Sequence, residues 1–152
     1  MSKDKPKQEL PGWIAEHTKL YLQDPDKGHN WDSTAAGGPG MLLTLLLFTV
    51  GRKSGKAGIL PLLYGKSGED YIIVASKGGA PQHPAWYLNL LHNPECEIQV
   101  AHDRFRVRAR TATGTKRETL WQLMAGIYPP YNDYQKATAR QIPVVVLERI
   151  KA

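Results

Sequence analysis

Apolar and polar positions divide the chain into blocks with different periods. Trp13, Ile14, His17, Leu20 and Tyr21 recur at helical spacing, which predicts an amphipathic helix after Pro11 that is stopped by Pro25. Residues 1–10 are charged and predict a disordered tail. Residues 23–40, rich in Asp, Gly and Ser, predict a loop. From Met41 the pattern changes. Two apolar runs, 42–50 and 57–64, flank the turn Gly51-Arg-Lys-Ser-Gly-Lys56 and predict a hairpin of buried strands. Gly51 and Gly55 supply the positive φ that a sharp reversal needs.

The same reading predicts a strand over Tyr71–Ser76, rich in β-branched residues, and a helix from Pro84 to Asn93 with Trp86, Tyr87, Leu90 and Leu91 on one face. Cys96–Ala101 and Phe105–Arg110 alternate in and out around His102-Asp103, the pattern of an antiparallel hairpin. Thr115-Lys-Arg-Glu118 has the form of a capping box, opening a helix with Leu120, Trp121, Met124 and Ile127 on one side and closed by Pro129-Pro130. Tyr131–Arg140 predicts a short helix or turn, and Ile142–Leu147 the last strand. This order, about six mostly antiparallel strands with three to four helices and no βαβ alternation, predicts an α+β fold built on a barrel or strongly curled sheet. Residues 1–40 form a tail, helix and loop ahead of a barrel domain over 41–152.

Composition narrows the chemistry only partly. The length of 152 residues and the 41% hydrophobic content fit one domain with a single core. A formal net charge of +6 favours an anionic partner: nucleic acid, a membrane face or a polyanionic cofactor. Cys96 is the only cysteine, so no intramolecular disulfide forms, which fits a cytoplasmic setting. The N-terminus is polar, and no apolar run is long enough to span a bilayer. The Trp and Tyr of the first helix, with lysines nearby, offer a membrane-surface contact as an alternative to packing on the domain.

Each candidate motif has a plain structural explanation beside the functional one. The cations Arg52, Lys53 and Lys56, with turn amides between them, suit a phosphate or carboxylate; otherwise they form a solvated basic turn. The turn is not a P-loop, since three residues separate its glycines and a strand follows. No G-x-G-x-x-G and no nucleophile elbow is present. His83, His92 and His102 lack ligand-like spacing, so no metal is expected. The arginines at 104, 106, 108 and 110 share a strand face opposite Glu97 and Gln99, where cross-strand ion pairing accounts for them; without interleaved aromatics they do not indicate nucleic acid. Ser76-Lys77-Gly78-Gly79 ends a strand with amides, a hydroxyl and a cation together, suited to an anionic oxygen. Tyr128, Tyr131 and Tyr134 recur at helical period, usually a core pattern, yet Pro129-Pro130, Asn132 and Asp133 suggest an accessible wall of phenols.

Taken together, Thr49-Val-Gly-Arg-Lys-Ser-Gly-Lys, Pro61-Leu-Leu-Tyr, the run from Ala75 to Pro94, Tyr128-Pro-Pro-Tyr-Asn-Asp-Tyr-Gln and Ile142-Pro-Val-Val-Val-Leu-Glu resemble the deazaflavin (F420)-dependent nitroreductase family, in the family's order over roughly residues 40–149. The resemblance implies a split β-barrel of the FMN-binding type and F420, an 8-hydroxy-5-deazaflavin, as cofactor. It implies that Arg52, Lys53, Ser54, Gly55 and Lys56 cradle the phosphate and that Pro61, Ala75, Ser76, Lys77, Gly78, Trp86 and Asn89 line the cofactor. It also implies that Ser76, Tyr128, Tyr131 and Tyr134 face the substrate. Family members often carry a cation at the position of Gly58, so the tail is expected to lean on Lys56 or Lys77.

The implied activity is hydride transfer from reduced deazaflavin to an electron-poor acceptor: a quinone, an activated enone or lactone C=C, or a nitroaromatic. Serine and tyrosine would hydrogen-bond the acceptor and deliver a proton. The alternatives are an FMN-dependent split-barrel oxidoreductase and a non-catalytic carrier of deazaflavin or a lipophilic ligand.

Overall fold

Continuous apolar strands require cover on both faces, and the computed structural model, which describes residues 12–151, supplies it. The helices are α1 (Gly12–Gln23), α2 (Pro25–His29), α3 (Ala85–His92), α4 (Gly114–Ile127) and α5 (Pro130–Lys136). The strands are β1 (Asn30–Asp32), β2 (Met41–Val50), β3 (Ala57–Leu63), β4 (Gly65–Ser67), β5 (Asp70–Val74), β6 (Glu95–Val100), β7 (Asp103–Thr111) and β8 (Val144–Arg149). The sheet runs β1-β2-β6-β7-β8-β5-β4, with β3 also paired to β2. Every pairing is antiparallel.

The side-chain period of two along β5 and β8 sorts their residues into two cores. Ile73, Val145 and Leu147 point into the curled sheet with Leu45, Leu47, Ile98 and Val107, under Trp86, Tyr87 and Leu90 of α3. Ile72, Val74, Val144 and Val146 point the other way, onto Leu120 and Met124 of α4 and onto Tyr128 and Tyr131. A fully buried leucine such as Leu47 contributes about 1.5–3 kcal/mol by burial alone. Truncation to alanine costs about 2–5 kcal/mol, because the close-packed barrel cannot collapse into the void.

The six strands read from the sequence all form, with β1 and β4 as additional three-residue strands. The loop expected over 23–40 is instead structured. Asp24 Oδ1 accepts the Lys27 amide, Pro25 opens α2, and β1 pairs with the start of β2. Short elements of this kind are set by tertiary contact, which a period cannot reveal. The capping box is also not used. Helix α4 begins at Gly114, so Thr115 already lies in the first turn and its carbonyl accepts the Thr119 hydroxyl.

Helix α1 docks on the barrel through Tyr21, which is fully buried. The Tyr21 hydroxyl donates to the Thr44 carbonyl at 2.8 Å and accepts the Ala101 amide at 2.9 Å, joining α1 to β2 and to the β6–β7 turn. His17 holds the Gly28 carbonyl at 2.8 Å. Leu20 and Leu22 stay exposed on the outer side of the helix. Among the described residues no helix is long and apolar enough to cross a membrane. The tail over residues 1–10 and the Trp13 side chain lie outside the described residues.

Candidate active site

The basic turn is a compact knot of hydrogen bonds. The Gly51 amide donates to the Lys56 carbonyl at 2.8 Å, the Gly55 amide to the Gly51 carbonyl at 2.9 Å, and the Lys56 amide to Ser54 Oγ at 3.1 Å. Only Gly55 takes a positive φ, +72°. Gly51 serves differently from the expectation, because a Cβ there would meet Ser54 Oγ at 2.5 Å. Helix α3 ties the knot down: Asn89 Oδ1 accepts both the Arg52 amide, at 3.1 Å, and Arg52 Nη1, at 3.0 Å. Lys53 and Lys56 are exposed and, among the described residues, have no carboxylate within ion-pairing distance. Their charge is therefore available to a ligand.

The second piece is the loop after β5. Lys77, Gly78 and Gly79 have φ of +47°, +63° and +82° in succession. For Lys77 this left-handed conformation costs about 1–2 kcal/mol, so the surroundings must impose it. Two contacts do so. Gly79 lies against α5, where a Cβ would come within 2.7 Å of the Tyr134 carbonyl oxygen. On the other side Arg140 donates to the carbonyls of Ala75 (3.2 Å), Ser76 (2.7 Å) and Ala80 (2.8 Å), and to His83 Nδ1 (3.0 Å). Burial, and then the Arg140 charge, hold the His83 imidazole below its ordinary pKa, which keeps Nδ1 an acceptor.

The third piece is the tyrosine cluster. Tyr128 and Tyr131 are core residues, each 5% exposed, while Tyr134 is half-buried. The accessible wall of three phenols thus reduces to one phenol at the surface with two behind it. Tyr128 Oη donates to the Ala36 carbonyl at 3.2 Å, which leaves its lone pair to accept from Tyr134 Oη at 3.0 Å. Burial is the main cause that raises the pKa of Tyr128, with the Tyr134 hydrogen bond second. Burial again leads for Tyr131, followed by the two neighbouring phenols. Both stay protonated under ordinary conditions. Trp86 is likewise buried, edge-on to Tyr87, and Ala75 is fully buried with its carbonyl committed to Arg140. Pro61, half-exposed on β3, lies opposite Leu46 of β2.

Helix α3 therefore joins the basic turn to the glycine loop, which leads directly into it, and α5 joins the loop to the tyrosines. Sequence reasoning missed Arg140, which lies in a segment read only as helix or turn. It also missed Gln135, which accepts the Ile142 amide and donates to the Arg140 carbonyl. The one available signal was an arginine with no acidic residue beside it in sequence. The arginine row on β7 follows its plain explanation: Arg104 pairs with Glu97, Arg106 and Arg108 with Glu95, and Arg110 with Glu148.

A curled antiparallel sheet with this helical cover defines an α+β split-barrel fold. Residues 22–149 match the F420H(2)-dependent quinone reductase family, and the chain belongs to that family. An F420H(2)-dependent quinone reductase of Mycobacterium tuberculosis is 43% identical over 114 residues, covering 73% of this chain and 76% of that protein. The solved structure of an F420-H2 dependent reductase, FDR-A, superposes with a TM-score of 0.64 at 42% identity, over 69% of this chain and 93% of that one. A second solved structure, a domain-swapped dimer, superposes with a TM-score of 0.67 at 37% identity, over 90% of this chain and 97% of that one. The protein is an F420-dependent oxidoreductase. The donor set fits a polyanionic coenzyme, since Lys53, Lys56 and Lys77 are exposed and lack carboxylate partners among the described residues.

Proposed function

We propose that this protein reduces a quinone with F420H2, binding the coenzyme between the basic turn and the glycine loop. The observation that carries this reading is the unneutralised charge of the turn, held rigid by Asn89 of the helix that the glycine loop opens into. Bound F420H2 supplies the hydride. Arg52, Lys53, Ser54, Gly55 and Lys56 grip its phosphate, with Arg52 pre-set by Asn89. Lys77, exposed on its strained loop, takes the remaining negative charge in place of a cation at Gly58. Pro61, Ala75, Ser76, Gly78 and Trp86 shape the bed for the ring.

Ser76 and Tyr134 face the acceptor. Ser76 is half-exposed at the loop's start, and Tyr134 is the accessible phenol of its cluster. Tyr128 Oη accepts the hydrogen bond of the Tyr134 hydroxyl at rest and so orients it. Buried Tyr131 supports both rings edge-on. The segment from residue 41 carries these groups, while α1 and α2 pack against the sheet and β1 extends it. The quinone is preferred over an enone or a nitroaromatic because the matching family is one of quinone reductases.

Stopped-flow mixing of the purified protein with reduced F420 and menadione tests this reading. Saturable oxidation of the coenzyme well above the protein-free rate is expected. Tight binding of F420 without turnover on menadione or other quinones would leave a carrier. A protein that purifies with FMN and ignores F420 would overturn the proposal outright.

A further inference from the structure

Arg140 contributes nothing to an ion pair among the described residues, and it is half-buried. Its Nε and both terminal nitrogens donate to the loop over 75–83, three bonds of them to backbone carbonyls. The segment bearing it is itself fixed. Gln135 Nε2 donates to the Arg140 carbonyl at 2.7 Å, and Gln135 Oε1 accepts the Ile142 amide at 2.9 Å. Gln135 Oε1 also lies 3.4 Å from Arg117 Nη2, and Arg117 in turn holds the Ile142 carbonyl at 2.7 Å. This is a rigid mount for one guanidinium.

The consequence follows from peptide geometry. Every peptide bond among the described residues is trans, so the carbonyl and the amide of one unit point in opposite directions. With the Ala75 and Ser76 carbonyls drawn to Arg140, the amides of Ser76 and Lys77 face the other side of the loop. Neither amide donates to a protein acceptor among the described residues. Ser76 is right-handed and Lys77 left-handed, the alternation that makes a concave nest of amides for an anionic oxygen. A charge-assisted bond to each carbonyl also withdraws electron density from the unit and makes its N–H a stronger donor.

We infer that Arg140 is a positioning residue: it turns two carbonyls of the loop inward and thereby presents the Ser76 and Lys77 amides as a paired donor site for an oxygen that carries or gains negative charge. The inference deepens the proposed function and rests on it. The oxygen belongs either to the coenzyme or to the acceptor that receives the hydride, and the same two amides serve either.

The test compares Arg140→Met and Arg140→Lys with Arg110→Met, a surface control on β7. Three quantities are measured: melting temperature, F420 affinity and the single-turnover rate of hydride transfer to menadione. Both Arg140 variants should fold and lose about 10²-fold in rate, the usual cost of a misplaced oxyanion donor. Added guanidinium ion at non-denaturing concentration should restore part of the Arg140→Met rate and leave Arg110→Met unaffected. A rise in the F420 dissociation constant that parallels the rate loss places the oxygen on the coenzyme; an unchanged constant places it on the acceptor.

In the wild-type protein, the Ser76 and Lys77 amide resonances should move when coenzyme and menadione are added. In coenzyme-free Arg140→Met they should shift from their wild-type positions. This last reading stands even if F420 fails to bind, so the two proposals can fail separately. Wild-type rate and affinity in a folded Arg140→Met would overturn the inference. So would wild-type amide resonances that ignore both ligands, which decides the matter if neither variant folds.

Discussion

Two hairpins in this molecule carry dense positive charge, and they have opposite prospects. On the β6–β7 hairpin, Arg104, Arg106 and Arg108 each meet a glutamate of the neighbouring strand, and Arg110 meets Glu148 of β8. Arg104 lies over the Phe48 ring as well. On the β2–β3 hairpin, Arg52 is held by a neutral amide, and Lys53 and Lys56 have no acid within reach among the described residues. The first set is internally compensated and braces a sheet. The second keeps its field for a ligand. Count and spacing of cations do not distinguish them; the positions of the acids do.

Charge reversal should separate the two most sharply. Lys53→Glu with Lys56→Glu removes two charge-assisted contacts, each worth about 1.5–3 kcal/mol, and should weaken F420 binding by more than about 10²-fold. Lys53→Ala alone should cost the lower part of that range. The matched pair Arg104→Glu with Arg106→Glu adds the same charge to the other hairpin and should leave coenzyme affinity as it was. Fluorescence titration of F420 against each variant, with thermal melts alongside, decides it. Equal losses in the two pairs would mean that net charge, not the turn, draws the coenzyme.

A smaller effect should follow from the anchor. Asn89→Ala deletes both hydrogen bonds from Oδ1 to Arg52 while every cation stays in place. The turn then keeps its charge and loses its preorganisation. The bond to the Arg52 amide is worth about 1 kcal/mol and the bond to its charged guanidinium about 1.5–3 kcal/mol, and about half of that sum falling on coenzyme binding predicts an affinity loss of about ten- to thirtyfold, visible in the same titration. Asn89→Asp is the informative partner. It keeps an acceptor for Arg52 but places a carboxylate beside the phosphate cradle, giving the β2–β3 turn the acid that it lacks. Its affinity should fall below that of Asn89→Ala. If both variants bind as the wild type does, the anchor is incidental.

The contrast also shows what could be read from the chain alone. Periods of two and of 3.6 place nearly every long element, because burial on a pleat or on a helix face leaves a regular mark. The arginine row is legible as structure because its glutamates sit on the partner strand of the same short hairpin. Other features depend on contacts between positions far apart. Arg140 reaches back about sixty positions, to Ala80 and Ser76, and no local pattern records that a guanidinium will gather those carbonyls. Tyr131 and Tyr134 look equivalent in sequence, yet packing against α4 buries one and leaves the other half-exposed. β1 and α2 owe their existence to the strand and helix they meet rather than to a period of their own.

The smallest effect runs in the reverse direction and would make the braced hairpin resemble the open one. Arg108 first, by its hydrogen bond, and then Arg106 hold the Glu95 carboxyl below its usual range. A carboxyl with a depressed folded-state pKa contributes stability above its unfolded pKa and loses it as pH falls through the folded value. Acidification therefore frees Arg106 and Arg108 while it slightly destabilises the fold. Glu95→Gln with Glu97→Gln does the same at neutral pH. The double variant should melt only marginally lower than the wild type, since exposed pairs contribute little. It should be retained more strongly on a polyanion column, with retention that falls as salt rises. Hydride transfer from F420H2 should not change, because the uncovered arginines adjoin neither the glycine loop nor the tyrosines. A gain of coenzyme turnover in this variant would show that uncompensated charge on any hairpin suffices, and the β2–β3 turn would lose its special standing.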